Sequence, residues 1–476
     1  MKQIFSLLLI AATTVSLTCS AQQNIEHYAI SRDAMLNRFM DYIAIESGSE
    51  ESESPDVYPM TEGQKRMAQK LAADAKALGA EVYLSEWNYV YVRIPSNVTV
   101  DVPSIGISCH LDYTPEAPGT GIKPKVIRYE GGVIDLGHGT IDPNTPQGAD
   151  LPSLVGKTLI HTDGTTLLGG DDKNGCTIAM SVIESALQEG FEHGVLEFVF
   201  CPNEDIGLAA MKIDTSYFNP DIVIDVDAAG GQQVAVSNFT AREIVLRFVG
   251  KDAHPADAKA QHMGDALAAA STYIARVPLE NRPENTEGKA GYIHPWSMER
   301  SKDKLSYTVS TRIRYFDQAE GEAFDRIVKE NIRYVQASFP YVAVEIVRDV
   351  MQYDNVEYTM HPLSLPLLKD AAARCGLRLR MDDLRAGTTA AMFCAKGLRG
   401  GLSIFSGQHN EHSVQEYAVL EEMYDSYRLL LTMIDEAVFL TETDYPKAMR
   451  DREERARELE EMIEELKKNC PNCEFE

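Results

Sequence analysis

The residues best suited to chemistry in this sequence are histidines and carboxylates that stand where predicted strands or turns end. They are His110, Asp112, Asp171, Glu204, Asp205, Asp227 and His412. In open α/β sheets, ligands bind at the carboxyl ends of the strands. We therefore expect these separated segments to converge on one cleft.

Such a group of carboxylates needs positive charge nearby, because like charges a few ångströms apart cannot all stay ionised. One or two divalent cations would supply that charge. Carboxylate and imidazole ligands without thiolate favour zinc, with manganese and cobalt as alternatives, in a hydrolytic site. Two histidines and three carboxylates suit a pair of metals that share one bridging carboxylate, which together polarise a carbonyl and activate water.

The elements that must position these side chains alternate between strands and helices. The apolar residues 103–109 predict a buried strand that ends at His110. "VLEFVFCPNED" predicts a strand ending at Glu204 and Asp205, and "DIVIDVDAAG" predicts another ending at Asp227. "GLSIFSG" is a strand that leads into the loop carrying His412.

Three further local patterns are informative. Thr61 and Gln64 have the spacing of a helix capping box, and the predicted helix runs to about residue 78. A second helix is predicted from about residue 176 to 188. The Gly/Pro-rich stretch from about 114 to 152 is expected to be a loop.

A different order of elements is predicted between residues 238 and 350. Strand, helix, two strands, helix and strand follow one another, which is the βαββαβ order of a ferredoxin-like module. The predicted fold class is therefore α/β: a phosphorylase/hydrolase-like α/β sandwich catalytic domain with an inserted ferredoxin-like lid domain. The catalytic domain would comprise residues 22–237 and 351–446, on either side of the lid domain.

Charge and the two ends of the chain bear on location and partners. The formal net charge of the 476 residues is −27, which disfavours nucleic acid and anionic membranes as partners. Lys2 followed by a short apolar run predicts a signal peptide over residues 1–21, and hence an exported, periplasmic or extracellular protein. A lipid anchor at Cys19 is the alternative, and no other stretch is long enough to span a membrane.

The remaining cysteines and the C-terminal tail have simple interpretations. Five single cysteines are expected to be free thiols: Cys109, Cys176, Cys201, Cys375 and Cys394. Cys470 and Cys473 would form a terminal disulfide in an exported protein. Residues 447–476 predict a charged helix and tail, packed on the body through one stripe or used in oligomerisation.

The motifs taken together resemble the peptidase T family, tripeptide aminopeptidases among the zinc-dependent exopeptidases with an inserted lid. The resemblance covers about residues 30–440, and its segments follow the family order. They are "CHLD", "LLGGDDKNG", "PNEDIG", "VDAAG", "DAHPADAKA", "RIRYFD" and "HSVQEY".

The resemblance implies a role for each residue. His110, Asp171 and Asp227 would hold one metal, and Asp171, Asp205 and His412 the other. Asp112 would orient His110, and Glu204 would be the general base that takes a proton from the attacking water. Residues of the lid would contact a short peptide substrate, with Arg314 on its C-terminal carboxylate and His254 on the oxyanion. A homodimer through the lid is a further prediction, as is a cis peptide between Asp171 and Asp172.

Two departures from the family pattern keep alternatives open. The family usually has glutamate where Asp205 stands, and it carries aspartate where Thr389 stands; a charge missing there would weaken recognition of the substrate's ammonium group. A carboxypeptidase, dipeptidase or N-acyl amino acid deacylase with the same metals is therefore the runner-up, and a non-catalytic peptide-binding protein is a third reading.

His409 competes with His412 as a ligand, but only His412 has the family spacing. Export is also a difference, since the best-known members lack a signal and work in the cytoplasm.

Overall fold

The computed structural model of the chain describes residues 22–51, 57–302 and 304–442. The predicted signal peptide, Cys19, the charged tail and the pair Cys470 and Cys473 lie outside the described residues. Within them, the helices are α1 Arg32–Ile43, α2 Glu62–Leu78, α3 Gly170–Ala186, α4 Ala266–Ala275, α5 Gln318–Ser338, α6 Ser364–Cys375, α7 Thr389–Cys394 and α8 Leu420–Glu442.

The strands of the same residues are β1 Glu81–Leu84, β2 Val90–Ile94, β3 Ile105–His110, β4 Lys125–Arg128, β5 Ile134–Asp135, β6 Thr140–Ile141, β7 Thr158–His161, β8 Leu196–Cys201, β9 Ile222–Ala229, β10 Gln233–Asn238, β11 Thr240–Val249, β12 Tyr292–Arg300, β13 Ser306–Tyr315, β14 Ala343–Tyr353, β15 Arg380–Leu384, β16 Gly401–His409 and β17 Tyr417–Val419.

A large mixed sheet forms the centre of the α/β fold. Its order is β1-β2-β8-β3-β9-β16-β17-β7-β4, and β10 joins it through β16 and pairs with β15. The central strands β8, β3, β9 and β16 run parallel. Helices α1, α2, α3, α6 and α8 contribute apolar side chains to the main hydrophobic core with these strands. The parallel strands therefore end at one edge of the sheet, where the predicted site residues stand.

The segment from β11 to β14 forms a second, antiparallel sheet in the order β12-β13-β11-β14. Helices α4 and α5 pack against it around a separate apolar cluster that includes Leu246, Phe248 and Tyr273. Along the chain the order is strand, helix, strand, strand, helix, strand. The last strand runs to Tyr353, three residues past the predicted boundary. The role of this segment as a lid stays a prediction.

Local signals explain several element ends. Thr61 caps α2, because its hydroxyl accepts a hydrogen bond from the amide of Gln64 at 3.2 Å. The capping box is only half formed, however, since the side chain of Gln64 bonds Asn203 instead. α2 ends at Leu78 and is capped by Gly79, whose φ of 98° suits glycine in the left-handed region.

The expectation of a loop over residues 114–152 is wrong, whereas the expectation of free cysteines is confirmed. The stretch 114–152, expected to be a loop, contains β4, β5 and β6. Two of these strands have two residues each, which is too short for an alternating pattern to be read. Cys109, Cys176, Cys201, Cys375 and Cys394 are free thiols, as expected. Across the described part of the chain, no helix combines the length and the apolar character that crossing a bilayer requires.

Candidate metal centre

Asp171 lies between two histidines that are far apart in the sequence. Its Oδ1 atom is 2.9 Å from Nε2 of His110, at the end of β3. Its Oδ2 atom is 3.3 Å from Nε2 of His412, in the loop after β16. The two oxygens of one carboxylate thus face two different imidazoles, which is the geometry that a carboxylate shared between two metal ions requires.

Two more carboxylates complete this arrangement. Oδ1 of Asp227, near the end of β9, is 3.6 Å from Nε2 of His110. Oδ1 of Asp205, just after β8, is 2.9 Å from Nε2 of His412. The structure therefore brings together two groups of three residues that have Asp171 in common. Candidate ligand atoms of His110, Asp171 and Asp205 lie within 4.8 Å of one another, as do those of His110, Glu204 and Asp227.

The electrostatics of the cluster favour bound cations. Burial raises the pKa of Asp205 to about 7 and also raises that of Asp227, because a buried carboxylate loses its hydration. Oδ2 of Asp205 is buried and has no hydrogen-bond partner. An unpartnered buried carboxylate oxygen is costly, and coordination of a metal would satisfy it. The donors are carboxylate oxygens and imidazole nitrogens, so the residues fit divalent ions such as zinc, manganese or cobalt.

The loop that carries Glu204 and Asp205 is held by Asp112. The Asp112 carboxylate accepts hydrogen bonds from the amide of Glu204 at 3.1 Å and from that of Asp205 at 3.3 Å. Its Oδ1 atom is 3.5 Å from Nδ1 of His110, which is longer than a normal hydrogen bond. The sequence predicts that Asp112 orients His110; the structure adds its closer contact with the loop after β8.

Glu204 lies beside the cluster and is half-buried. Burial raises the pKa of its carboxyl group. Oε1 of Glu204 accepts a hydrogen bond from Oγ1 of Thr389 at 2.9 Å. The sequence linked Thr389 to the substrate's ammonium group, whereas the structure places it against the predicted general base.

Three carboxylates that the sequence did not single out as functional support the cluster. Glu416 accepts hydrogen bonds from the amides of Leu168, Gly169 and Asp171 at 2.7–3.0 Å. Asp172 accepts hydrogen bonds from the amides of His110 and Gly175, and the peptide between Asp171 and Asp172 is cis, as predicted.

The third of them is Glu116, in the loop after β3. Its Oε2 atom is 3.1 Å from Nδ1 of His412, which leaves Nε2 of that histidine facing Asp171 and Asp205. Glu116 is an exposed acid in a Gly/Pro-rich stretch, so the residues around it do not predict its contact with His412.

His409 does not belong to the cluster. Its Nε2 atom is 2.8 Å from Oε2 of Glu422, and its Nδ1 atom is 3.3 Å from Oδ2 of Asp150. Both ring nitrogens are therefore engaged elsewhere, one with a buried carboxylate and the other with an exposed one. Of the two histidines that compete in the sequence, His412 is the one that reaches Asp171.

The two predicted substrate residues of the segment from β11 to β14 have their contacts outside the cluster. His254 is exposed, and its Nδ1 atom accepts a hydrogen bond from the amide of Ala256. Arg314, on β13, donates to the carbonyls of Arg242 and Ile313 and to the side chain of Gln352. Neither has a hydrogen bond or ion pair with a cluster residue within the described residues, so their roles toward the substrate stay predictions.

Known proteins resemble the chain in sequence and in fold, although no protein-family model matches it. Peptidase T of Escherichia fergusonii is 31% identical over 407 residues, which are 85% of this chain and 98% of that protein. Peptidase T of Clostridium perfringens is 32% identical over 409 residues, 83% of this chain and 97% of that protein. The crystal structure of aminopeptidase PepT from Bacillus cereus matches with a TM-score of 0.64 at 19% identity, over 86% of this chain and 99% of that chain.

These relatives correct the prediction of export. The proteins that match are named peptidase T, and they do not support an exported protein, so the predicted signal, secretion and periplasmic or extracellular location are wrong. A lysine followed by a short apolar run is a pattern of composition that carries little information.

Proposed function

Since the chain belongs to the peptidase T family, we propose that it is a metallo-aminopeptidase that removes the N-terminal residue from tripeptides and other short peptides. The observation that carries this proposal is the position of Asp171, whose two oxygens face His110 and His412. A shared carboxylate with one histidine and one further acid on each side is a ligand set for two divalent ions.

The proposed ligands divide into two sets. His110, Asp171 and Asp227 would hold one ion, and Asp171, Asp205 and His412 would hold the other. Zinc suits these donors, and manganese or cobalt would be accepted as well. Bound ions would supply Lewis-acid polarisation of the scissile carbonyl and would lower the pKa of water.

Glu204 would act as the general base and acid. It would take a proton from the attacking water and deliver one to the leaving amine, since a carboxylate within hydrogen-bond reach of both atoms can serve in turn as acceptor and donor. Its half-buried position beside His110 and Asp227 supports this assignment. Burial raises the pKa of Glu204, which favours a group able to hold a proton between the two steps.

The segment from β11 to β14 would act as a lid and would also be the site of a homodimer. Closure of the lid would bring His254 to the oxyanion and Arg314 to the C-terminal carboxylate of the peptide. Arginine suits the second role because its planar fork can bind a carboxylate through two hydrogen bonds. The proposed domains are residues 22–237 and 351–446 for catalysis and 238–350 for the lid.

A pair of substrates tests the proposal. The purified chain, loaded in turn with zinc, manganese and cobalt, is incubated with Ala-Ala-Ala and with its N-acetyl derivative. An aminopeptidase releases alanine from the free tripeptide and leaves the blocked one intact. Cleavage of the blocked peptide alone would contradict the proposal and favour the N-acyl amino acid deacylase, whereas release of the C-terminal residue first would favour a carboxypeptidase.

A further inference from the structure

Thr389 is the first residue of the short helix α7, and its side chain faces the predicted general base, Glu204. Its side chain is buried, with 1% of the residue exposed, and its hydroxyl is directed at Oε1 of Glu204, 2.9 Å away. Across the described residues, no other side chain donates a hydrogen bond to that carboxylate. Asp112 holds only the backbone amide of Glu204.

The helix that carries Thr389 is itself fixed in place. Thr388 caps α7, since its hydroxyl accepts a hydrogen bond from the amide of Ala391 at 3.1 Å. The next two residues, Ala390 and Ala391, are fully buried with Val223 of β9 and Val356. Thr389 is therefore a donor on a rigid support, whereas the glutamate side chain has several rotatable bonds of its own.

We propose that Thr389 is a positioning residue for the general base: its hydroxyl fixes the Glu204 carboxylate so that Oε2 is free to exchange protons with water and the leaving amine. This inference rests on the proposed function, because it takes Glu204 as the base. A base works only within hydrogen-bond reach of the proton that it accepts, and a misplacement of about 1 Å costs up to about a hundredfold in rate. A donor that removes rotational freedom from the carboxylate therefore acts on turnover rather than on substrate binding.

The neighbouring threonine provides a matched control. Thr389→Val keeps the shape of the side chain and removes the hydroxyl, whereas Thr389→Ser keeps the hydroxyl. Thr388→Val removes a hydroxyl from the same helix start without touching Glu204, so it reports the effect of weakening α7 alone. All variants are measured as metal-loaded full-length protein on Ala-Ala-Ala.

We expect Thr389→Val to lower kcat about tenfold, with KM changed less than about twofold and the bound metal unchanged. Thr389→Ser should stay within about threefold of the parent in kcat, and Thr388→Val should keep the parent kcat after correction for folded fraction. In an E204Q background, Thr389→Val should cause no further loss, because the hydroxyl acts through Glu204. Equal effects of Thr389→Val and Thr388→Val, or an additive loss in the E204Q background, would overturn the inference.

A readout independent of turnover separates this inference from the proposed function. Crystal structures of the parent and of Thr389→Val should show the Glu204 carboxylate in one orientation in the parent and displaced or in several rotamers in the variant. An unchanged carboxylate would refute the positioning role even if the enzyme cleaves tripeptides. Conversely, a displaced carboxylate in a protein that never cleaves tripeptides would leave the contact standing and refute the proposed function.

Discussion

Glu416 accepts a hydrogen bond from the backbone amide of Asp171 at 3.0 Å, so one buried carboxylate positions the residue at the centre of the cluster. The same side chain accepts from the amides of Leu168 and Gly169. Three amides at the start of α3 thus converge on Glu416, which is 2% exposed. This contact ties the loop after His412 to the loop that presents Asp171, and it fixes the direction of the proposed bridging carboxylate.

Glu416→Ala is expected to weaken metal binding although Glu416 is not a ligand. Removing the acceptor leaves three amides without their partner, so the loop before α3 relaxes and Asp171 loses its orientation. Changes of this kind around a metal site usually cost about 10–100-fold in affinity. Calorimetric titration of the metal-free protein with zinc measures the effect.

Glu421→Ala is the control for that experiment. Glu421, on α8, also accepts a hydrogen bond from a backbone amide, that of Thr158 at the start of β7. The change should leave zinc affinity unchanged within about twofold, as expected for a residue that does not contact the cluster. Equal zinc affinity in Glu416→Ala and the parent would show that Glu416 serves stability alone.

Asp171→Asn should affect both metal positions, whereas changes of the other acids should affect one. The amide is neutral and offers a single weak oxygen donor, so neither proposed site keeps its shared carboxylate. We expect the metal content to fall from two ions per chain to fewer than one, and activity to fall by more than about 100-fold. Elemental analysis of dialysed protein and a tripeptide assay give the two values.

Asp205→Asn and Asp221→Asn calibrate the result for Asp171. Asp205→Asn should lower the metal content by one ion per chain. Asp221→Asn should leave both ions bound. Asp221 directly precedes β9, at the end of the strand opposite to Asp227, and its carboxylate accepts a hydrogen bond from the Ser104 hydroxyl. If Asp171→Asn retains one full equivalent of metal, the two ions do not share this residue.

Glu204→Gln should lower turnover and leave the metals in place. Glutamine has nearly the same shape but cannot accept the proton, and general-base steps usually contribute about 10²–10⁴ in rate. The steady-state kcat on Ala-Ala-Ala, together with metal content measured on the same sample, checks this expectation. A loss of less than about tenfold with full metal content would assign the proton transfer to another group.

The ion-pair network of His409 should make stability depend on pH. Burial alone would lower the pKa of His409, but Asp150 and Glu422 raise it to about 9. A histidine whose pKa is raised on folding stabilises the protein fully below its unfolded value, about 6.5. That contribution disappears as the pH rises through about 9.

The change His409→Gln should therefore lower the guanidinium midpoint of unfolding more at pH 6 than at pH 9.5. His193→Gln is the control, because burial lowers the pKa of His193 and it contacts the carbonyl of Gly194 rather than an acid. Its effect should not shrink between pH 7 and pH 9.5. A His409→Gln effect that is the same at pH 6 and pH 9.5 would show that the histidine is neutral in the folded protein.

The sequence by itself determined the kinds of candidate ligand, their order along the chain and the sheet edge where they meet. Apolar runs predicted β3, which ends at His110 as expected, and β8, which ends at Cys201 rather than at Glu204 and Asp205. The ends of neighbouring parallel strands lie at the same edge of the sheet. The choice of His412 over His409 came from the spacing of one family motif. These are local signals, because strand periodicity and motif spacing depend on residues that are near each other in the chain.

Only the tertiary structure decided which atoms face each other. Thr389 and Glu204 are 185 residues apart, Glu416 and Asp171 are 245 apart, and no local pattern links the members of either pair. Loop conformation sets such contacts: Asn203, just before Glu204, has a φ of 60°, and so does His412. A side chain that leaves the backbone from the left-handed region points where strand periodicity does not predict. Its partners therefore follow from packing across the whole sheet rather than from neighbours in sequence.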